Sequence, residues 1–320
     1  MNYINLGRTG LKVSRICLGC MSFGDATKGR HPWVLQEEDG RALVKQALDA
    51  GINFFDTANV YALGTSEEIL GRAIRDFAKR DELVIATKVH SKMRDEPNGH
   101  GLSRKAIMNE VDASLKRLGT DYIDLYQTHR WDDETPIEET LEALQDVRKS
   151  GKVRYIGASS MRTWQFAKAI YLADRQGWGR FVSMQPQYNL LFREEEHEML
   201  PFCAAEGIGV IPSSPLARGR LARLWSERSE TQRGQTDAVS ELLYKSTEQI
   251  DEPVVSRLVE VAAAKGKPQA QVALAWLLQK PVVSSVIVGA TKASHLQDAI
   301  ESLDVSLTSE EMFWLEEPYQ

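Results

Sequence analysis

Three apolar runs in the first half of this 320-residue chain each lead into a side chain that can take part in proton transfer. Ile52 to Phe55 stops at Asp56, and Tyr61 follows in a polar turn. Leu83-Val84-Ile85-Ala86 runs into Thr87-Lys88. Tyr122 to Gln127 ends at Thr128-His129. A carboxylate at the end of a buried strand is costly unless it has a partner, and Lys88 is the partner expected for Asp56. A free phenol titrates at about 10, and an adjacent ammonium favours its ionised form. The expectation is therefore that Lys88 makes Tyr61 a readier proton donor, with Asp56 keeping Lys88 charged and His129 orienting an oxygen at the same spot. Such a group suits a carbonyl oxygen gaining negative charge. With no protein nucleophile beside it, the pattern points to carbonyl reduction by an external hydride.

The elements that must carry these residues follow from periodicity and punctuation. Tyr3–Leu6 and Val13–Leu18, separated by Gly7-Arg8-Thr9-Gly10, read as a hairpin running into a first strand. Strands then alternate with helices. Helices are expected at 37–50, 66–77, 103–118, 136–150, 163–176, 194–206, 253–265, 268–278, 294–302 and 309–316, with Gly51, Gly119 and Gly151 as stops. Strands are expected at 52–55, 83–88, 122–129, 153–156, 181–185, 208–211 and 286–288, and 213–251 reads as a long polar loop. The rhythm of eight strand–helix units, without a Gly-x-Gly-x-x-Gly fingerprint, favours an α/β (β/α)8 TIM barrel over a doubly wound sheet. Long loops belong at its C-terminal face, and Asp56, Lys88 and His129 are at the strand ends where barrel enzymes place their chemistry. No linker divides the chain, so residues 1–320 read as a single domain.

Composition narrows the class further. Hydrophobic residues make up 42% and charged residues 26%, ordinary proportions for a soluble globular protein. Thirty-nine basic and 45 acidic side chains leave a net charge of −6. Without a basic block this is a poor nucleic-acid binder. No signal peptide is visible, and no apolar run approaches the roughly 18 residues of a membrane span, so a cytoplasmic location without membrane partners is expected. Cys17 and Cys20 form a Cys-x-x-Cys pair, but on a strand an i, i+3 pair points to opposite faces. No spacing suits a metal, and none is expected.

The ordered set Asp56, Tyr61, Lys88 and His129, within Phe54-Phe55-Asp56-Thr57-Ala58-x-x-Tyr61, Ala86-Thr87-Lys88 and Gln127-x-His129, resembles the catalytic tetrad of the aldo-keto reductases. The resemblance covers essentially the whole chain. Through Ile156–Ser160, Met184–Leu190 and Ser214–Gly219 it is closest to bacterial members described as 1-deoxyxylulose-5-phosphate synthases, although no thiamine site is visible.

The resemblance implies a barrel binding NADP(H) across its mouth and reducing a small aldehyde or ketone, or running the reverse oxidation. Ser159, Ser160 and Gln185 would hold the nicotinamide carboxamide. Ser214, Pro215, Leu216, Ala217 and Arg218 would wrap the pyrophosphate, with Cys20 and Met21 near the ribose. Gly289, Thr291, Lys292, His295 and Asp298 would line the adenosine end, Lys292 facing a 2′-phosphate and so favouring NADP(H) over NAD(H). Three positions depart from the family pattern: Ser160 for asparagine, Ser213 for the ring against the nicotinamide, and Ala299 for asparagine near the adenine. The loss of the ring at 213 predicts looser cofactor binding unless another ring fills the gap.

Other readings stand beside this one. A noncatalytic NADP(H)-sensing protein on the same barrel, like the potassium-channel β-subunits, is compatible with an intact tetrad. A lyase or isomerase using Lys88 as a Schiff base is a further alternative, which the neighbouring Asp56 and Tyr61 oppose. Trp33, Trp131, Trp225 and Tyr244 either wall a substrate or cap the barrel; Trp164, Trp178, Trp276 and Trp314 read as helix packing. His31, His90, His100 and His197 read as ordinary loop or surface residues. Asp124, inside a strand, needs a partner that the sequence does not identify. Neither the native substrate nor the oligomeric state is legible from these residues.

Overall fold

The computed structural model describes residues 1–29, 31–227 and 230–319. A hairpin of β1 (Tyr3–Asn5) and β2 (Lys12–Ser14) pairs Ile4 with Val13. Eight further strands form one parallel sheet: β3 (Ile16–Gly19), β4 (Phe54–Asp56), β5 (Val84–Val89), β6 (Ile123–Thr128), β7 (Val153–Ser159), β8 (Ser183–Gln185), β9 (Gly209–Val210) and β10 (Val286–Gly289). Their order is β10-β3-β4-β5-β6-β7-β8-β9, so each strand after the first lies beside its predecessor. Hydrogen bonds also run between the two ends of that order. Ile287 N donates to Pro212 O at 3.1 Å, and Ser284 N to Val210 O at 2.8 Å.

The strands are apolar on both faces because both faces are covered. Successive residues point to opposite sides. Cys17, Phe54, Val84, Ala86, Leu125, Ile211 and Ile287 form an inner cluster with Leu6 and Val13 of the hairpin. Leu18, Phe55, Ile85, Tyr126, Ile156, Met184, Val210 and Val288 pack outward against the helices. Cys17 and Cys20 fall into different clusters, and both are free, buried thiols.

The helices follow the strands: α1 (Glu37–Asp49), α2 (Thr65–Phe77), α3 (Arg104–Leu118), α4 (Ile137–Lys149), α5 (Thr163–Gln176), α6 (Met199–Glu206), α7 (Gln232–Thr236), α8 (Ala238–Tyr244), α9 (Glu248–Lys265), α10 (Gln269–Leu278), α11 (Ala293–Glu301) and α12 (Ser309–Glu316). Local chemistry sets several ends. Ser103 caps α3 by accepting from Ala106 N, and Gly119 closes it in the left-handed region. Thr308 and Glu311 form a capping box on α12.

Three expectations need correction. The helix expected over 194–206 begins as a 3-10 turn and becomes α-helical only at Met199, because Arg193 and Tyr188 both hold the Glu196 carboxylate. The loop expected over 213–251 contains α7 and α8 and the start of α9. α7 and α8 are too short to show a period, and α8 is capped by Asp237, which accepts from Val239 N and Ser240 N. The strand expected over 208–211 is regular only at Gly209–Val210: Ile208 N closes α6 on Cys203 O, while on the far side Ile211 N still donates to Met184 O at 2.9 Å.

Asp124 has its partner. Arg80 Nη2 lies 2.7 Å from Asp124 Oδ2, which also accepts from Ile85 N at 2.9 Å. Burial pushes the Asp124 carboxyl up, against the pull of Arg80. Breaking such a pair leaves Asp124 with only the Ile85 amide and the weaker pull of Arg154, so Arg80→Ala is expected to cost about 3 kcal/mol. Urea unfolding checks this; a loss below about 1 kcal/mol would place the pair among ordinary surface bridges.

Candidate active site

The parallel register decides which side chains meet. Asp56 is opposite Ala86, so Lys88, two residues further along β5, points to the same interior face. Gln127 on β6 is opposite Lys88, and Gly157 on β7 is opposite Gln127. A Cβ at Gly157 would stand 3.1 Å from Gln127 Cγ and 2.4 Å from Ser183 Oγ, so this glycine leaves the room that the neighbouring side chains occupy.

At the centre, the fully buried Lys88 ammonium donates to Asp56 Oδ1, to Thr57 O at 2.9 Å and to Tyr61 OH at 3.2 Å. The second oxygen of Asp56 accepts from Gln127 Nε2 at 2.9 Å and Gln185 Nε2 at 3.0 Å. Both carboxylate oxygens are thus hydrogen-bonded, as burial demands. His129 follows β6, and its ring meets that of Tyr61 edge to face, centroids 5.8 Å apart. All four expected residues converge. In the sequence Gln127 stands out only as part of the Gln127-x-His129 motif, and its role as an Asp56 ligand depends on register that the sequence does not display.

Electrostatics corrects one expectation. Burial raises the Tyr61 phenol more than Lys88 lowers it, so the phenol is not acidified in this state. It is protonated at neutral pH. Burial opposes the charge on Lys88, but Asp56 and Tyr61 outweigh it and hold the ammonium above its usual range. Burial first, then the charges of Lys88 and Arg130, push the His129 imidazole well below its ordinary range. The ring is neutral at pH 7.

The residues expected to hold a cofactor are at the same end of the sheet. Ser159 ends β7 and Gln185 ends β8, paired in register, with Ser159 Oγ donating to Gln185 O at 2.8 Å. Ser160, exposed, has a φ of 49°. Gln185's amide nitrogen is committed to Asp56, which leaves its side-chain Oε1 for a ligand. After β9, Ser213 Oγ donates to Pro186 O at 3.1 Å. The turn Ser214-Pro215-Leu216-Ala217-Arg218 follows, with Ser214, Ala217 and Arg218 all at positive φ. Arg218 Nη1 pairs with Asp237 Oδ2 at 2.5 Å, while its buried Nε has no hydrogen-bond partner among the described residues.

At the β10 side, Gly289 is exposed, Thr291 N contacts His295 Nδ1 at 3.4 Å, and Lys292 is an exposed cation at the start of α11. Asp298 accepts from Gln271 at 3.0 Å. Cys20 is fully buried in the outer core, with its carbonyl oxygen accepting from Ser66 Oγ at 2.7 Å, so it offers a ligand no surface; Met21 beside it is half-buried.

The aromatic residues divide differently from expectation. Trp164 and Trp314 are 59% and 43% exposed rather than packed, with Trp164 beside Trp131 and Trp314 under Arg257. Tyr244 is buried, its hydroxyl accepting from Gln187 and Asn189 at 3.0 Å each. His31 packs on Trp33, and His100 and His197 are exposed. No helix among the described residues is long and apolar enough to cross a membrane.

A family model described as the aldo/keto reductase family matches residues 15–319. The versiconal hemiacetal acetate reductase of Aspergillus parasiticus is 45% identical over 338 residues, covering 100% of this chain and 97% of that protein. A Schizosaccharomyces pombe protein named as an aryl-alcohol dehydrogenase is 43% identical over 342 residues, covering 98% and 94%. An aldo-keto reductase of Fusarium vanettenii is 41% identical over 342 residues, covering 100% and 91%. These relatives are fungal, so the expected likeness to bacterial synthase-type members finds no support in them.

The depressed imidazole has a consequence for stability. The unfolded chain binds a proton at position 129 at a higher pH than the folded chain does, so stability falls as the pH drops below about 6.5. Urea unfolding at pH about 7.5 and about 5.5 should show that fall, and His129→Gln should show a smaller one. Identical pH dependence in the two proteins would contradict the assignment.

Proposed function

The chain belongs to the aldo/keto reductase family, and from that premise we propose that it is an NADP(H)-dependent oxidoreductase converting an aldehyde or ketone into an alcohol, reversibly. The single observation that carries this reading is the Lys88 ammonium, held between Asp56 and the Tyr61 hydroxyl at the sheet's C-terminal rim. We read the fold as a closed (β/α)8 barrel and a single domain over 1–320, supported by the hydrogen bonds joining the ends of the sheet. A cytoplasmic location belongs to the same proposal.

The residues at the rim fit a dinucleotide. Three positive-φ residues in Ser214–Arg218 suit a turn whose amides face an anion. The unpartnered Arg218 Nε adds a donor, and Lys292 supplies an exposed cation for a 2′-phosphate. Ser159, Ser160 and the Gln185 side-chain Oε1 would hold the carboxamide. When bound, NADP(H) supplies the hydride.

The protein's own part is proton management. Neutral His129 donates a hydrogen bond that orients the substrate carbonyl beside Tyr61. As negative charge grows on the carbonyl oxygen, Tyr61 OH transfers its proton there. The adjacent ammonium stabilises the phenolate left behind, so Lys88 acts after the proton leaves rather than by acidifying the resting phenol. Asp56, fixed by Gln127 and Gln185, keeps Lys88 charged. The same contacts oppose a Schiff base, since Lys88 offers no free amine.

Tyr61→Phe is expected to lower kcat on a carbonyl panel by about 10²–10⁴-fold while NADPH still binds. NADPH binding without turnover in the wild type would instead favour a cofactor sensor. Lys292→Ala should weaken NADPH on the order of 10-fold and leave NADH nearly unchanged; equal losses for both would remove Lys292 from the 2′-phosphate.

A further inference from the structure

The Arg117 side chain on α3 lies against two carboxylates withdrawn from solvent, Glu67 and Glu110. Nε donates to Glu67 Oε2 at 2.6 Å, and Nη2 is 3.8 Å from Glu110 Oε2. Each carboxylate leads on to backbone beside the proton donor. Glu67 Oε1 accepts from Thr87 Oγ1 at 2.6 Å, and Thr87 immediately precedes Lys88. Glu110 Oε2 accepts from Asn59 Nδ2 at 2.9 Å, while Asn59 N donates to Lys88 O at 3.3 Å.

A further contact is steric. The turn Tyr61–Gly64 carries Ala62 and Leu63 at φ of 46° and 50°, conformations that non-glycine residues adopt at a cost. It ends at Gly64, φ 93°, where a Cβ would stand 2.5 Å from Arg117 Cδ. The arginine stem therefore closes against the strained turn that begins at Tyr61.

Arg94 Nη1 also lies 3.8 Å from Glu110 Oε1, so two carboxylates meet two guanidiniums, and such buried pairing is a weak source of stability because desolvation offsets the attraction. What this arrangement does provide is contact with the chain on both sides of the Lys88–Tyr61 pair. We propose that Arg117 is a positioning residue for the proton donor, fixing the Tyr61 hydroxyl relative to Lys88 through Glu67, Glu110 and the Gly64 turn. The inference rests on the reductase reading for its kinetic consequence, but its structural consequence can be read without turnover.

The test is Arg117→Lys, which keeps the charge and loses the planar fork. With turnover present, kcat should fall on the order of 10-fold or more, with the NADPH dissociation constant within about 2-fold and the pH profile of kcat displaced. In protein labelled with meta-fluorotyrosine, the Tyr61 resonance, identified by its loss in Tyr61→Phe, should shift while that of exposed Tyr171 does not. An unmoved Tyr61 resonance in folded Arg117→Lys overturns the proposal, as does kcat within about 2-fold of wild type in an active enzyme. Should that variant not fold, Glu110→Gln replaces it and is read for the same Tyr61 shift. If the wild type reduces no carbonyl, the reductase reading fails, and the fluorine shift alone decides the role of Arg117.

Discussion

A lysine without exposed surface keeps its charge only if an anion touches it, and Asp56 is that anion. The pair constrains the rim of the sheet. It requires β4 and β5 to be neighbours in one register, Asp56 opposite Ala86, so that Lys88 lands on the same interior face. It requires the remaining carboxylate oxygen to be filled, which Gln127 and Gln185 do from β6 and β8. The small residue at Gly157, on the strand between them, is part of the same requirement.

The ammonium then serves two neighbours in opposite ways. It favours a negative phenol at Tyr61 and disfavours a positive imidazole at His129. A protonated hydroxyl beside a neutral ring is the combination that can both donate to and orient a carbonyl oxygen. Burial strengthens each interaction while raising the energy of every unpaired charge. The carboxylates are accordingly paired, including those behind the Tyr61 turn, while His129 Nδ1 and Arg218 Nε have no hydrogen-bond partner among the described residues.

Much of the architecture was readable along the chain. The period-3.6 stretches ending in glycine became α1, α3 and α4 within a residue or two, and the apolar runs became β4, β5 and β6. Failures came where local signals were thin. α7 has no apolar residue and α8, although mostly apolar, is only seven residues long, too short to show a period, and the start of α6 is set by Arg193 and Tyr188 gripping Glu196. Residue type alone places Trp164 and Trp314 inward, whereas both side chains are partly exposed.

For the site, residue types and chain order were enough to single out Asp56, Tyr61, Lys88 and His129, because a charged group ending an apolar run is visible one residue at a time. The sequence could not show that Gln127 and Gln185 share one oxygen of Asp56, that Asp124 pairs with Arg80, or that Arg117 backs the Tyr61 turn. It also suggested a more acidic phenol, where burial in fact outweighs the cation. Each of these depends on contacts between segments far apart in the chain. Periodicity and motif spacing are properties of the chain itself, but register, desolvation and the filling of lone pairs exist only once distant strands are brought together.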